Sequence, residues 1–231
     1  MPTPNRAAPW ALIVMASMTV WASGCRSPVG TTAASAMHKI QSSDDPNLRY
    51  LAFVRLGEVN VYDDDAQKAD ATRVLKTALA SGKEPSASRA ALCRSLGALG
   101  RPEARTVLRK SVEDSEPLVR AEALRALGKV GIEDDPAMLA QHMVADTSLE
   151  CRIAAIEGLG MMKSLAPRYL ATLTQGMENQ EPAIRLASYD SLRKLTGKDL
   201  GVAPAPWKKH AEEALAKVEG NANGEAKTTK R

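Results

Sequence analysis

The sequence predicts an all-α protein, an α-α superhelix of about five two-helix repeats closed by a C-terminal capping helix. Three observations predict it. An arginine is followed seven residues later by leucine five times, at Arg49/Leu56, Arg89/Leu96, Arg120/Leu127, Arg152/Leu159 and Arg185/Leu192, with glycine next in four (Gly57, Gly97, Gly128, Gly160). These arginines lie 40, 31, 32 and 33 residues apart, a period that stacked helix pairs produce and a single globular core does not. Aromatic residues are only 3% of the chain, with one phenylalanine, a composition suited to closely stacked helices rather than to a sheet.

The chain opens with Arg6, an apolar run from Trp10 to Trp21, then Ala22-Ser23-Gly24-Cys25. A basic start, a short hydrophobic segment and small residues form a secretory signal over 1–24, and the run is short for a spanning helix, which needs about 20 residues. The cysteine after Ala-Ser-Gly resembles the bacterial lipoprotein box, with Ala22 where leucine is usual. The resemblance implies cleavage before Cys25, acylation of that residue, and a periplasm-facing lipoprotein of the cell envelope. In that family, arginine after the cysteine, here Arg26, points to the outer membrane. Residues 25–43, rich in Ser, Thr, Ala and Gly, are expected to be a flexible tether.

The repeat domain spans 44–200. With each arginine as zero, slot minus one reads Leu48, Ser88, Val119, Cys151, Ile184, and slot plus four reads Phe53, Cys93, Leu124, Ile156, Tyr189. Slot plus three, Ala52, Leu92, Ala123, Ala155 and Ser188, is mostly small. These slots and the leucine at plus seven share one face of a helix with 3.6 residues per turn, giving a single buried stripe. An acidic residue and a proline precede four of these helices, at Asp45-Pro46, Glu84-Pro85, Glu116-Pro117 and Glu181-Pro182, a helix-start signal. Glycine at plus eight costs about 1 kcal/mol against alanine inside a helix and marks either tight packing or the start of the last turn. Partner helices are predicted at about 66–81, 101–113, 135–145 and 164–178, with apolar residues at helical spacing such as Val74, Leu75, Ala78 and Leu79. The extra length of the first interval falls in the loop containing Asp63, Asp64 and Asp65.

This pattern resembles the short HEAT-like repeat family, whose second helix begins with an acidic residue, a hydrophobe and an arginine and runs into Leu-Gly, as from Glu116-Pro117-Leu118-Val119-Arg120 to Leu127-Gly128. The resemblance covers about 44–196 and takes its specificity from repetition. After the last repeat, Leu195-Thr196-Gly197-Lys198-Asp199 followed by Pro206-Trp207 looks like the C-terminal end of HEAT-like proteins of some bacterial envelopes. A capping helix is expected over 201–219, with Trp207 folded onto the final repeat, and a disordered tail over 220–231.

The net charge of +4 is spread along the chain, no basic run exceeds two residues, and none is interleaved with aromatics, so no nucleic-acid partner is expected. Cys93 and Cys151 occupy core slots two repeats apart, which argues for burial rather than a disulfide. His38, His142 and His210 lack ligand spacing. Ser191-Leu-Arg-Lys194 imitates a serine-lysine catalytic motif but lies inside a repeat helix without the companion motifs. The aspartates at 63–65 lack the spaced ligands and glycine of a calcium loop and read as a solvated helix cap. No cofactor, no metal and no small-molecule substrate are expected.

Six residues before the arginines stand Ser43, Lys83, Asp114, Asp146 and Asn179. In two or three repeats a polar turn residue there is expected to reach the arginine of its own or the adjacent repeat, so that Arg49, Arg89, Arg120, Arg152 and Arg185 act as a structural ladder aligning successive helices. Five arginines gripping an anion together is the alternative. Slot plus five, Val54, Arg94, Arg125, Glu157 and Asp190, points away from the stripe. Its change of sign predicts a polarised groove for a protein segment, basic at Arg94 and Arg125 and acidic at Glu157 and Asp190. The function expected is a non-catalytic, lipid-anchored scaffold or adaptor for envelope proteins of unknown identity. The alternatives are a nucleic-acid-binding solenoid with a DNA glycosylase-like groove, which an exported chain disfavours, and a bilin lyase, whose family has similar repeats.

Overall fold

The computed structural model describes residues 28–131, 135–162 and 166–228, with side chains described as far as 218. The expected leader, the lipidation site Cys25 and the last residues of the tail, 229–231, lie outside the described residues. Eleven α-helices and two short 3-10 turns are present among them, and no strand. The protein is an all-α solenoid.

Five helices carry the repeated arginine: α2 (Pro46–Leu56), α4 (Ser86–Leu99), α6 (Pro117–Val130), α8 (Leu149–Met161) and α10 (Pro182–Thr196). Each packs on the next to form one layer. Their partners, α1 (Ala33–Ser42), α3 (Asp65–Ser81), α5 (Arg105–Ser111), α7 (Asp135–Ala145) and α9 (Pro167–Gly176), form the other layer. Proline at the first turn starts α2, α6 and α10, where its missing amide has no intrahelical role to fill. Pro85 instead stands just outside α4, as its N-cap.

The stripe is the core. All five leucines at plus seven are buried, as are the five residues at plus three and Phe53, Cys93, Leu124 and Ile156 at plus four. Only Tyr189, in the last repeat, is half-buried in that slot, because no further repeat stacks on it. α11 (Pro204–Thr228) takes that place: it packs against α9, and Trp207, 1% exposed, meets Tyr189 edge-on at 6.4 Å. The Trp207 indole donates to the Gly201 carbonyl at 2.7 Å, which satisfies its buried N–H.

The glycines at plus eight are packing positions. A Cβ built on Gly97 would lie 2.8 Å from Ala126 Cα, and one on Gly128 would lie 2.2 Å from Gly158 O. On Gly57 and Gly160 it would meet Ser95 Oγ and Ser191 Oγ, each at 2.6 Å. The residue met is always at plus six in the following repeat, so consecutive arginine-bearing helices touch nearly backbone to backbone. The two serines also donate across the contact, Ser95 Oγ to Phe53 O at 2.8 Å and Ser191 Oγ to Ile156 O at 3.0 Å. Ser191 is therefore a joint between repeats, not a nucleophile.

Three expectations are corrected. The tether over 25–43 is not flexible throughout: Thr32 and Ser35 form a capping box that starts α1, and Val29, Ala33, Ala36 and Ile40 are buried beneath it. Apolar residues at i, i+3 and i+7 make this the partner helix of the first repeat. The tail is not disordered from residue 220, because α11 continues to Thr228. The extra residues of the first interval lie partly in the 57–64 loop, whose Val59–Val61 turn buries Val61, and partly in α3, which at 17 residues is the longest of the partner helices. Asp64 does cap α3, accepting the Gln67 amide at 2.8 Å. Among the described residues no helix is long and apolar enough to cross a membrane.

Candidate functional site

The arginine ladder follows from the turns. Arg89 places Nε and Nη2 on the two carboxylate oxygens of Asp114, at 2.9 and 2.8 Å, and Arg120 does the same with Asp146, at 3.1 and 3.0 Å. Each acid is the residue at minus six in the following repeat. Its Oδ1 also accepts the amide two residues on, Glu116 for Asp114 and Ser148 for Asp146, so the turn fixes the carboxylate before the arginine reaches it. Nη1 donates backwards, from Arg89 to Glu84 O and from Arg120 to Asp114 O, at 3.0 and 2.9 Å. Arg49 pairs with Glu84 rather than with Lys83 at minus six, and also donates to Ile40 O.

The last two arginines reach no acid of a following turn among the described residues. Arg185, with no repeat beyond it, donates to the carbonyls of Asn179 and Gln180 in its own turn. The Arg152 guanidinium forms no hydrogen bond or ion pair among the described residues. The physical reason is the residue at minus six in the last repeat: Asn179 keeps the turn bond, accepting the Glu181 amide at 3.0 Å, but carries no charge.

Burial raises the Asp146 pKa, yet the Arg120 guanidinium, the Ser148 amide and His142 outweigh it and hold the carboxyl at about 2. Burial likewise opposes, and Arg89 and the Glu116 amide reverse, the shift of Asp114, which ends below the usual carboxylate range. His142 is not isolated in space: Nδ1 lies 3.1 Å from Asp146 and Nε2 3.5 Å from Glu113. No group of His, Cys, Asp and Glu able to hold a metal occurs among the described residues. Cys93 and Cys151 are buried free thiols, and burial pushes the Cys93 thiol up to about 12.

Three of the four residues proposed to line a polarised groove, Arg94, Arg125 and Glu157, are engaged in ion pairs. Arg94 bonds both oxygens of Glu122 on the next helix, at 3.2 and 2.8 Å. Arg125 bonds Glu157 at 2.6 Å and also Glu150, both on α8. Arg125 and Glu157 neutralise each other, and Glu122 and Glu150 complete a lattice of charges that runs across α4, α6 and α8. Close stacking brings an arginine at plus five within reach of acids on the following helix, so the charges neutralise pairwise rather than accumulating at opposite ends. Asp190 stays outside the lattice, without a partner among the described residues. Large apolar residues stand open along the arginine-bearing helices, Leu51 and Val54 on α2, Leu118 on α6, Leu149 on α8 and Leu186 on α10, of which Leu186, 61% exposed, is the most open.

Glu122 and Glu150 were not legible as site residues, although Glu122 left a signal. It occupies plus two, where the other repeats carry Leu51, Ala91, Ala154 and Ala187; a charge in an otherwise apolar slot has to find a partner. A second buried link, Asp135 with Arg105 at 2.7 Å and Arg109 at 2.9 Å, joins α7 to α5.

Comparison with known proteins agrees with this architecture. A family model of HEAT repeats matches residues 72–160, which run from α3 to α8. No curated protein matches the chain in sequence. Among solved structures, the complex of CpcE and CpcF of phycocyanin lyase from Nostoc sp. PCC7120 contains a similar chain, with a TM-score of 0.59 and 21% identity over 78% of this chain and 71% of that one. At that identity the likeness is one of fold. Residues 72–160 match HEAT repeats, and the helix pairs on either side continue the same two-layer solenoid, with a glycine contact between successive arginine-bearing helices.

Proposed function

We propose that the chain is a non-catalytic scaffold that holds a protein segment against the exposed face of its arginine-bearing helices, anchored to an envelope membrane through an acylated Cys25. The observation that carries the partner's class is the neutralised lattice of Arg94, Glu122, Arg125, Glu150 and Glu157. A nucleic-acid surface needs uncompensated cations to displace counterions from phosphates, and here the arginines of that face are spent on carboxylates of the same face. A face of balanced charge with Leu118, Leu149 and Leu186 open suits a mixed polar and apolar protein surface.

The test is photo-crosslinking in the native host, with the photoreactive residue placed at Leu118, at Leu186, or at Thr77 on the partner-helix layer. Protein adducts at the first two positions and not at Thr77 are expected; adducts at none, or equally at all three, overturn the reading. Labelled fatty acid incorporated into the natural chain and lost in Cys25→Ala tests the anchor. A second reading, a bilin lyase-like protein, is favoured by the likeness to a chain of the phycocyanin lyase complex. Added bilin distinguishes it, through a shift in the pigment's absorption on mixing.

A further inference from the structure

The break in the ladder leaves a charge without a counter-charge beside a cavity. At the second and third rungs a guanidinium receives a carboxylate from the following turn, through two parallel bonds of 2.8–3.1 Å, the geometry in which arginine binds carboxylate best. At the fourth, the turn is built the same way but offers Asn179. Arg152 is half-buried, its guanidinium has no hydrogen bond or ion pair among the described residues, and it lines a cavity of about 200 Å³ between α7, α8, α9 and the start of α10.

The walls of this cavity define what fits. Met143 and Ile184, 7% and 1% exposed, provide an apolar floor. Thr172, Gln175 and Asn179 add neutral polar groups around the arginine. Among the described residues no acidic side chain lines it, and Arg152 is the one formal charge there.

We propose that this cavity is a carboxylate-binding site, in which a carboxylate from outside the chain completes the fourth rung on Arg152 and its short aliphatic portion lies on Met143 and Ile184. The carboxylate belongs either to a small free acid or to an acidic side chain of a bound peptide. The site is independent of the scaffold reading, since it lies in the turn between repeats and does not use Leu118 or the charge lattice.

The experiment follows the Arg152 Nε–Hε NMR signal of the full chain while butyrate is added at constant ionic strength, with chloride as the control. A second arm adds a blocked tripeptide amide, glycine-glutamate-glycine. A saturable shift in the millimolar range, weakened at least about tenfold in Arg152→Gln as followed on backbone amides of α9, is expected. Saturation by butyrate alone assigns the site to a free acid, and saturation by the peptide assigns it to a side chain. Asn179→Asp supplies the missing acid from within: it should abolish butyrate binding and raise the melting temperature by about 2–4 °C. Shifts that chloride reproduces, that do not saturate, or that persist unchanged in Asn179→Asp overturn the proposal.

Discussion

Replacing Gly128 by alanine tests whether the close approach of arginine-bearing helices sets the geometry of the array. Helix propensity favours the change by about 1 kcal/mol, because Gly128 lies inside α6. Packing opposes it. The new Cβ would stand 2.2 Å from Gly158 O and 2.5 Å from Gly158 Cα, more than 1 Å inside ordinary contact. Both atoms are backbone, so no rotamer can relieve the overlap and α8 has to move as a unit. Overpacking of this kind costs about 1–3 kcal/mol or more, and at its upper end it exceeds the propensity gain by about 2 kcal/mol. The melting temperature should therefore fall by about 4–8 °C for a chain of this size. Gly57→Ala is the internal comparison: its Cβ would meet the Ser95 side chain at 2.6 Å and backbone only at 3.2 Å, so its loss should be smaller. Thermal and urea unfolding followed by helical circular dichroism read both. A Gly128→Ala protein as stable as the natural one, or more stable, would refute the reasoning.

The Asp146 carboxyl, 4% exposed and held at about 2 against an ordinary 3.8, has a depressed folded pKa; its contribution of about 2 kcal/mol is complete above the ordinary value and is lost as pH falls through 2. Asp146→Asn should accordingly cost about that much in urea melts at pH 7 and almost nothing at pH 2, and equal costs at both would contradict the assignment. Ser188 carries a buried hydroxyl with no hydrogen-bond partner in a slot that three other repeats fill with alanine, so Ser188→Ala should leave stability unchanged or raise it by up to about 1 kcal/mol; a loss in urea melts would count against it. Cys93, fully buried with its thiol pushed up to about 12, should react with thiol reagents only as fast as the array unfolds, and stopped-flow alkylation at pH 8 that outpaces unfolding would disprove that burial.

The repeat was legible because its evidence is arithmetic: the arginine, leucine and glycine return at fixed offsets, and the apolar slots between them share a helix face. The partner helices α3, α5, α7 and α9 were legible for the same reason. α1 was missed because its stripe is made of Ala33, Ala36 and Ile40, too small and too close to a Ser/Thr-rich stretch to stand out, although the Thr32/Ser35 cap was present to be read. The pairing of the slot-plus-five charges was hidden for a different reason. Reading one slot at a time shows the sign of Arg94 or Glu157 but not the distance between neighbouring helices, and that distance, set by Gly97 and Gly128, decides that opposite charges meet. The ladder was half visible: the residues at minus six and the neutrality of Asn179 can be read from the sequence, but only the geometry shows that Arg49, Arg89 and Arg120 reach forward to an acid of the following turn, whereas the Arg152 and Arg185 guanidiniums meet no carboxylate among the described residues.

That gap gives the solenoid unequal joints. In a stacked array, stability is approximately a sum of unit terms and nearest-neighbour couplings, so a weak coupling is where the structure divides under stress. The first three arginine-bearing helices each hold the next turn by an ion pair, whereas α8 and the last repeat are joined by packing and by the Ser191 bond to Ile156. The last repeat, with α11, should then behave as a separate opening unit. Amide hydrogen exchange in α9 and α10 should be faster than in α4 and α6, as in a zipper whose final teeth are disengaged.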